Sequence, residues 1–183
     1  MKLAHRLFLT MIVLVTCSCG SAPTLEPGSF APDFHLKEVR GGSYHLADLL
    51  EQAVILSFIN TQAEAASGTA DPSRAQIIFL KSMQEQYGLK GLLVIIVDAT
   101  RTATGSYPGE DQLINFTYDW QLDHVVVLDD PDSTVAGAYA VTSTPTTFLI
   151  RADGIIQQRW DGFASASQLA LSIEPLVGAP AHR

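Results

Sequence analysis

Two stretches of this chain are apolar almost without interruption. "VILSFI" (54–59) and "LLVIIV" (92–97) carry no charge, and Ser57 is the one polar residue in either. Continuous apolar runs of this length, without polar alternation, fit strands buried on both faces. "VVVL" (125–128) and "TTFLI" (146–150) are shorter runs of the same kind. Asp153-Gly154 is a hairpin turn signal, which predicts that "TTFLI" and "IIQQRW" (155–160) pair antiparallel. Between the runs the pattern becomes helical. Asp71 is a good N-cap with Pro72 at the first helical position, and "SRAQIIFLKSMQEQY" follows until Gly88. "GEDQLINFTYDW" (109–120), "DSTVAGAYA" (132–140) and "SASQLALSIEPLV" (165–177) read as three further helices, the last limited by Pro175. The order β-α-β-α-β-α-β-β-α predicts an α/β fold with a central mixed β-sheet flanked by helices.

Composition narrows the class. The chain has 183 residues, enough for one domain with a sizeable core, and 47% of them are hydrophobic. The net charge of −8 argues against a surface that tracks nucleic-acid phosphates. At the N-terminus, Lys2 and Arg6 precede "LFLTMIVLV", a run about half the ~20 residues needed to span a bilayer. It reads as the core of a signal peptide over residues 1–16. The cysteines of the chain, Cys17 and Cys19, follow it directly. "Leu14-Val15-Thr16-Cys17" is similar to a bacterial lipobox, in which the cysteine is lipidated and becomes the mature N-terminus. Thr16 departs from the usual small residue there, and Cys19 is the alternative site. Cleavage before Cys17 removes Lys2 and Arg6 and leaves a net −10. Lipid attachment predicts an exported protein held at the cell envelope without a spanning helix. Residues 17–29, ending in "SAPTLEPGS", read as a tether, and residues 30–178 as the domain.

"TADPSRAQ" (69–76) has the outline of a redox motif, C-x-P-C-R-A, with Ala70 and Ser73 where the cysteines would stand. Other segments support the comparison. "Pro27-Gly28-Ser29-Phe30-Ala31-Pro32-Asp33-Phe34" resembles the opening of the TlpA/ResA-like and AhpC/TSA-type redoxin branch of the thioredoxin fold. "Gly42-Ser43-Tyr44-His45-Leu46-Ala47-Asp48-Leu49" and "VILSFINT" resemble its next two segments. "LDDPDSTVAGAYAVTSTPTTFLIRADGII" resembles its closing half, with Thr144-Pro145 at the place of the cis-proline. The resemblance implies a thioredoxin-like fold over nearly everything after the signal. It also implies a vestigial motif at Ala70, Asp71, Pro72 and Ser73, and a peptide-binding loop at Thr144 and Pro145. Two other registers stay open: one puts Ala63-Glu64-Ala65-Ala66 in the motif, and a peroxiredoxin-like T-x-x-C reading puts Glu64 at the peroxidatic position. In every register the thiolate that such sites stabilise at a helix N-terminus has no residue to carry it, because no cysteine follows residue 19. Gln76 stands near a position where several such relatives carry a glutamate that moves protons at the thiols.

The remaining candidates are weaker. His5, His35, His45, His124 and His182 show no metal-ligand spacing, although His35 and His45 flank a turn and could meet. "DDPD" (129–132) reads as a turn and helix cap. A Ser73/His124/Asp129 triad lacks the glycines of a nucleophile elbow. Trp120 and Trp160 read as packing residues. No cofactor is expected. The expectation is a redox-inactive binding or chaperone-like module with a protein or peptide client at the cis-proline face. The alternatives are a thiol-disulfide oxidoreductase or peroxiredoxin-type enzyme using thiols from a partner or from Cys17 and Cys19, and a structural domain of an envelope assembly.

Overall fold

The computed structural model describes residues 25–63 and 71–178. The expected signal peptide (1–16), Cys17, Cys19, Glu64, Ala65, Ala66, Ala70, His5 and His182 lie outside them. Seven strands form one sheet: β1 (His35–Glu38), β2 (Ser43–His45), β3 (Ala53–Ile59), β4 (Leu92–Asp98), β5 (Val126–Asp129), β6 (Thr146–Ile150) and β7 (Ile156–Asp161). Their spatial order is β2-β1-β5-β4-β3-β6-β7. The helices are α1 (Pro72–Tyr87), α2 (Thr100–Thr104), α3 (Glu110–Asp119), α4 (Thr134–Ala138) and α5 (Ala166–Ile173).

The apolar runs become the centre of the sheet because they can lie nowhere else. All seven residues of β3 are buried. The strand pairs parallel with β4, from Ala53↔Leu92 to Ile59↔Asp98, and antiparallel with β6, from Val54↔Ile150 to Phe58↔Thr146. Alternate side chains feed two cores. Ile55 and Ile59 meet Ile77, Leu80 and Met83 of α1, Leu113 and Phe116 of α3, and Leu169 and Ile173 of α5. On the other face Val54, Leu56 and Phe58 meet Val135 and Ala136 of α4, Tyr139, and Leu46 and Leu49 of a 3₁₀ turn after β2. Ser57, the polar residue of the run, is satisfied inside the first core by the Thr147 hydroxyl at 2.7 Å. The expected adjacency of the two long runs, with "TTFLI" beside them, is therefore what forms.

Helix starts follow their caps. Asp71 accepts from the Ser73 N–H at 2.7 Å with Pro72 in the first turn, as the sequence predicts. In "DDPD" two carboxylates cap: Asp130 accepts from the Val135 and Ala136 amides and Asp132 from the Thr134 amide. Helix α4 is shorter than the predicted 132–140. Helix α5 ends at Ile173, ahead of Pro175, rather than at 177. The pattern missed β1, β2 and α2. β1 and β2 are three or four residues at the sheet edge, mostly exposed or half-buried, and α2 is five residues. Elements this short and polar carry no periodic signal. Glycine is required where predicted at Gly154, which adopts φ +81° in the β6–β7 turn.

The edge is held by a residue that no pattern marked. The Arg40 guanidinium donates to the carbonyls of Leu122, Asp123 and Val125 at 2.9–3.2 Å and pairs with Glu38, tying the end of β1 to the turn that enters β5. Arg40→Ala removes the donors of three carbonyls, two of them in part-buried contacts. It should lower stability by about 2 kcal/mol in urea unfolding, and Arg40→Lys should restore only part of that, since a lysine cannot reproduce the fork.

Candidate functional site

The C-terminal ends of β3 and β4, the start of β6 and the end of β7 converge on one pole of the sheet, and the N-terminus of α1 is joined to it. The Thr144-Pro145 bond is cis, as predicted. The Pro145 carbonyl accepts from the Gly162 amide at 2.8 Å, locking the loop before β6 to the end of β7. Two residues on, the Ala164 amide donates to Gln76 Oε1 of α1 at 2.7 Å. Helix α1 and the cis-proline loop are thus connected through residues 162–164. Phe163 packs against Phe79 of α1 across this joint, with ring centroids 5.4 Å apart.

Of the four motif positions, Asp71, Pro72 and Ser73 are described, and they form the first turn of α1. Ser73 is 1% exposed and Gln76 is fully buried. Gln76 uses its oxygen for Ala164, and its Nε2 donor is buried without a partner among the described residues. A glutamate here could not accept from Ala164 without burying a charge or a proton, whereas the amide supplies the acceptor and stays neutral.

A cleft of about 310 Å³ opens beside this turn, lined among others by Thr61, Gln62, Arg74, Asn115, Asp119 and Trp120. Arg74 stacks over the Trp120 ring at 4.9 Å and donates to the Ala63 carbonyl at 3.2 Å. Half-buried Trp120 and Trp160 pack against the helical core, as expected. Sequence reasoning overlooked Asp98, at the end of β4 below this cleft. It is 1% exposed, and its Oδ1 accepts from Thr61 Oγ1 at 2.8 Å, Thr100 Oγ1 at 2.6 Å and the Thr100 amide at 3.2 Å. Burial pushes the Asp98 carboxyl above the ordinary carboxylate range; these hydrogen bonds oppose the shift, and the Asp129 charge adds to it. The one available signal was its place at the C-terminal end of a buried parallel strand.

The other candidates separate. His124 sits exposed before β5 and Asp129 at its far end, about 15 Å along the strand. With Ser73 in α1, the three make no triad. His35 and His45 do meet, as cross-strand partners with ring centroids 5.9 Å apart, and His45 Nε2 lies 2.7 Å from Asp33 Oδ2. Among the described residues no group of three or more His, Cys, Asp or Glu side chains is placed to hold a metal ion. No helix among them is long and apolar enough to cross a membrane.

Comparison with known proteins agrees with this arrangement. The chain is 26% identical over 179 residues to thiol-disulfide oxidoreductase ResA of Bacillus cereus, covering 92% of this chain and 95% of that protein. It is 28% identical over 133 residues to the thioredoxin-like protein YneN of Bacillus subtilis, covering 73% and 70%. The crystal structure of a thiol:disulfide interchange protein described as DsbE, from Chlorobium tepidum, superposes with a TM-score of 0.67 at 26% identity, covering 84% of this chain and 97% of that one. The fold is thioredoxin-like. The AhpC/TSA family model matches residues 27–159, a span that runs from ahead of β1 into β7 and takes in helix α1 and the cis-proline; the chain belongs to the AhpC/TSA family.

Proposed function

We propose that this thiol-disulfide oxidoreductase-like protein is exported, held at the envelope by a lipid on its N-terminal cysteine, and binds an extended protein or peptide segment at the cis-proline face without thiol redox activity of its own. One observation carries the reading: the scaffold of a thiol site is present, and no residue after 19 is a cysteine. Thiol-disulfide exchange requires a thiolate attacking sulfur, and peroxide reduction requires one attacking oxygen. Alanine has no nucleophile, and a serine hydroxyl does not cycle through a disulfide. What remains at the pole is a capped helix start, a cis-proline loop and the Phe79–Phe163 pair, with Phe163 exposed, which are features suited to holding a strand-like ligand. A second reading is favoured by the relatives named thiol-disulfide oxidoreductases: the domain works with thiols supplied by a partner or by Cys17 and Cys19.

The two readings separate in an assay. A chain beginning at Ser21 should neither reduce an insulin-type disulfide nor turn over peroxide with a thiol donor. Turnover above buffer background refutes the loss of redox activity, and activity seen only in the full chain points to Cys17 and Cys19. The double substitution Ala70→Cys and Ser73→Cys should form a reversible disulfide across one helical turn without loss of folding. Thiols that never pair would mean that this stretch is only a helix start. The Asp71 carboxylate between them should blunt thiolate formation.

The anchor is tested independently. Mass spectrometry of the mature protein should find lipid on Cys17, or on Cys19 as the alternative. A soluble protein retaining Met1 would refute export and lipidation together.

A further inference from the structure

Beneath the cleft, the hydrogen bonds to the buried carboxylate of Asp98 and the half-buried one of Asp129 are distributed unevenly. Asp98 receives three donors, all on Oδ1, and its Oδ2 is buried with no partner among the described residues. Asp129 receives the Tyr107 hydroxyl on Oδ2 at 2.8 Å, and its Oδ1 is likewise buried and bare. The two residues are neighbours. Strands β4 and β5 run parallel with Ile96 beside Val127 and Val97 beside Leu128, so the next step sets Asp98 beside Asp129. Ile96 and Val127 face the α1/α3 core, and alternation turns both carboxylates to that same face. Adjacent strands lie ~4.8 Å apart, which is carboxyl-to-carboxyl reach.

We propose that Asp98 and Asp129 share one proton between their bare oxygens, forming a proton-binding site under the cleft. Two buried, unpartnered oxygens on neighbouring residues of one sheet face cannot both carry charge cheaply, and a single shared proton would satisfy both as donor and acceptor. The site is independent of the reading above, since it holds whether or not the protein handles thiols. Among the described residues no cation pairs with either carboxylate. Lys37 of β1 is turned to Glu110 of α3 in an exposed pair at 2.5 Å and reaches Asp129 only through its field. Tyr107, Thr61 and Thr100 donate to the oxygens already occupied. A hard divalent cation takes six or more oxygen ligands, and no third carboxylate, histidine or cysteine joins the two among the described residues. Burial pushes both carboxyls upward; for Asp129 the Tyr107 hydrogen bond opposes it and Glu110 adds to it. Burial, the Asp129 hydrogen bond and the nearby acids raise the Tyr107 phenol in turn, so it stays a donor. Loss of the shared proton sets two charges against each other beneath Thr61, Thr100 and Tyr107, the contacts that hold α2 and one wall of the cleft.

The test is a carboxyl ¹³C titration of the full-length chain with labelled aspartate. Asp98 and Asp129 should report one common step above the ordinary carboxylate range near 4. Independent steps in that range overturn the proposal. So does a spectrum at fixed pH that moves on adding calcium or magnesium chloride, which would mark a cation site instead. Stability gives a second reading with a defined sign. Because the pair binds its proton more tightly folded than unfolded, the melting temperature should fall as pH rises from about 4 through the common step. Asp98→Asn should make that slope shallower and move the Asp129 step downward. Asp130, raised by burial at the cap of α4, contributes the same slope to both proteins and cancels in their difference. An unchanged slope in Asp98→Asn overturns the proposal, and the titration of the unsubstituted chain decides the matter if the variant does not fold.

Discussion

Strand β3 has no residue that it can show to water, and the rest of the architecture answers that requirement. A seven-residue strand buried on both faces needs a partner on each edge and a layer over each side. β4 and β6 satisfy its backbone, and two separate cores cover its side chains. Burying one Leu or Ile side chain contributes roughly 1.5–3 kcal/mol, so a polar substitution here would cost more than any surface contact returns. The polar exception, Ser57, is tolerated because Thr147 stands directly opposite in the antiparallel pair and supplies a hydroxyl. The helices and edge strands have looser requirements, and the cap geometry at Asp71 and Asp130 decides where they begin.

What was legible in the sequence followed this gradient of constraint. The long apolar runs, the Asp-Gly turn and the Asp71-Pro72 helix start are local signals, and each appears where it was read. The cis bond before Pro145 was legible only through resemblance, because X-Pro sequence alone does not choose an isomer. The β1–β2 edge was legible only as a turn between His35 and His45, because His35–Glu38 and Ser43–His45 are short, polar strands and the other partner of β1, strand β5, lies far away in sequence. Arg40 was invisible for a related reason. Its carbonyl partners lie more than eighty residues away, and a carbonyl leaves no mark in a sequence.

The candidate site divides in the same way. Ser73 and Gln76 could be placed on α1, but the role of Gln76 as acceptor for Ala164 depends on how the turn after β7 folds back. Asp98 looked like an ordinary strand end. Its burial arises because Thr61, in the turn after β3, and Thr100, at the start of α2, close over it with their hydroxyls. The proposed vestigial motif is the reverse case. The absence of cysteine after residue 19 is read from the sequence alone, since a helix start capped by an aspartate looks the same with or without sulfur beside it.

The entry of the chain into the domain has a mechanical consequence. Gly28, Phe30 and Ala31 run against Gly154, Ile155 and Ile156, at the turn end of the β6–β7 hairpin. The cis-proline and the close of β7 lie at the opposite end of that hairpin, about a strand length away. A force applied through the N-terminal segment is therefore delivered to the β6–β7 turn, where three backbone bonds take the load before any reaches the cleft. Those bonds act as a shear clip, and the cis-proline end of the hairpin is shielded from tension on the chain that precedes Gly28.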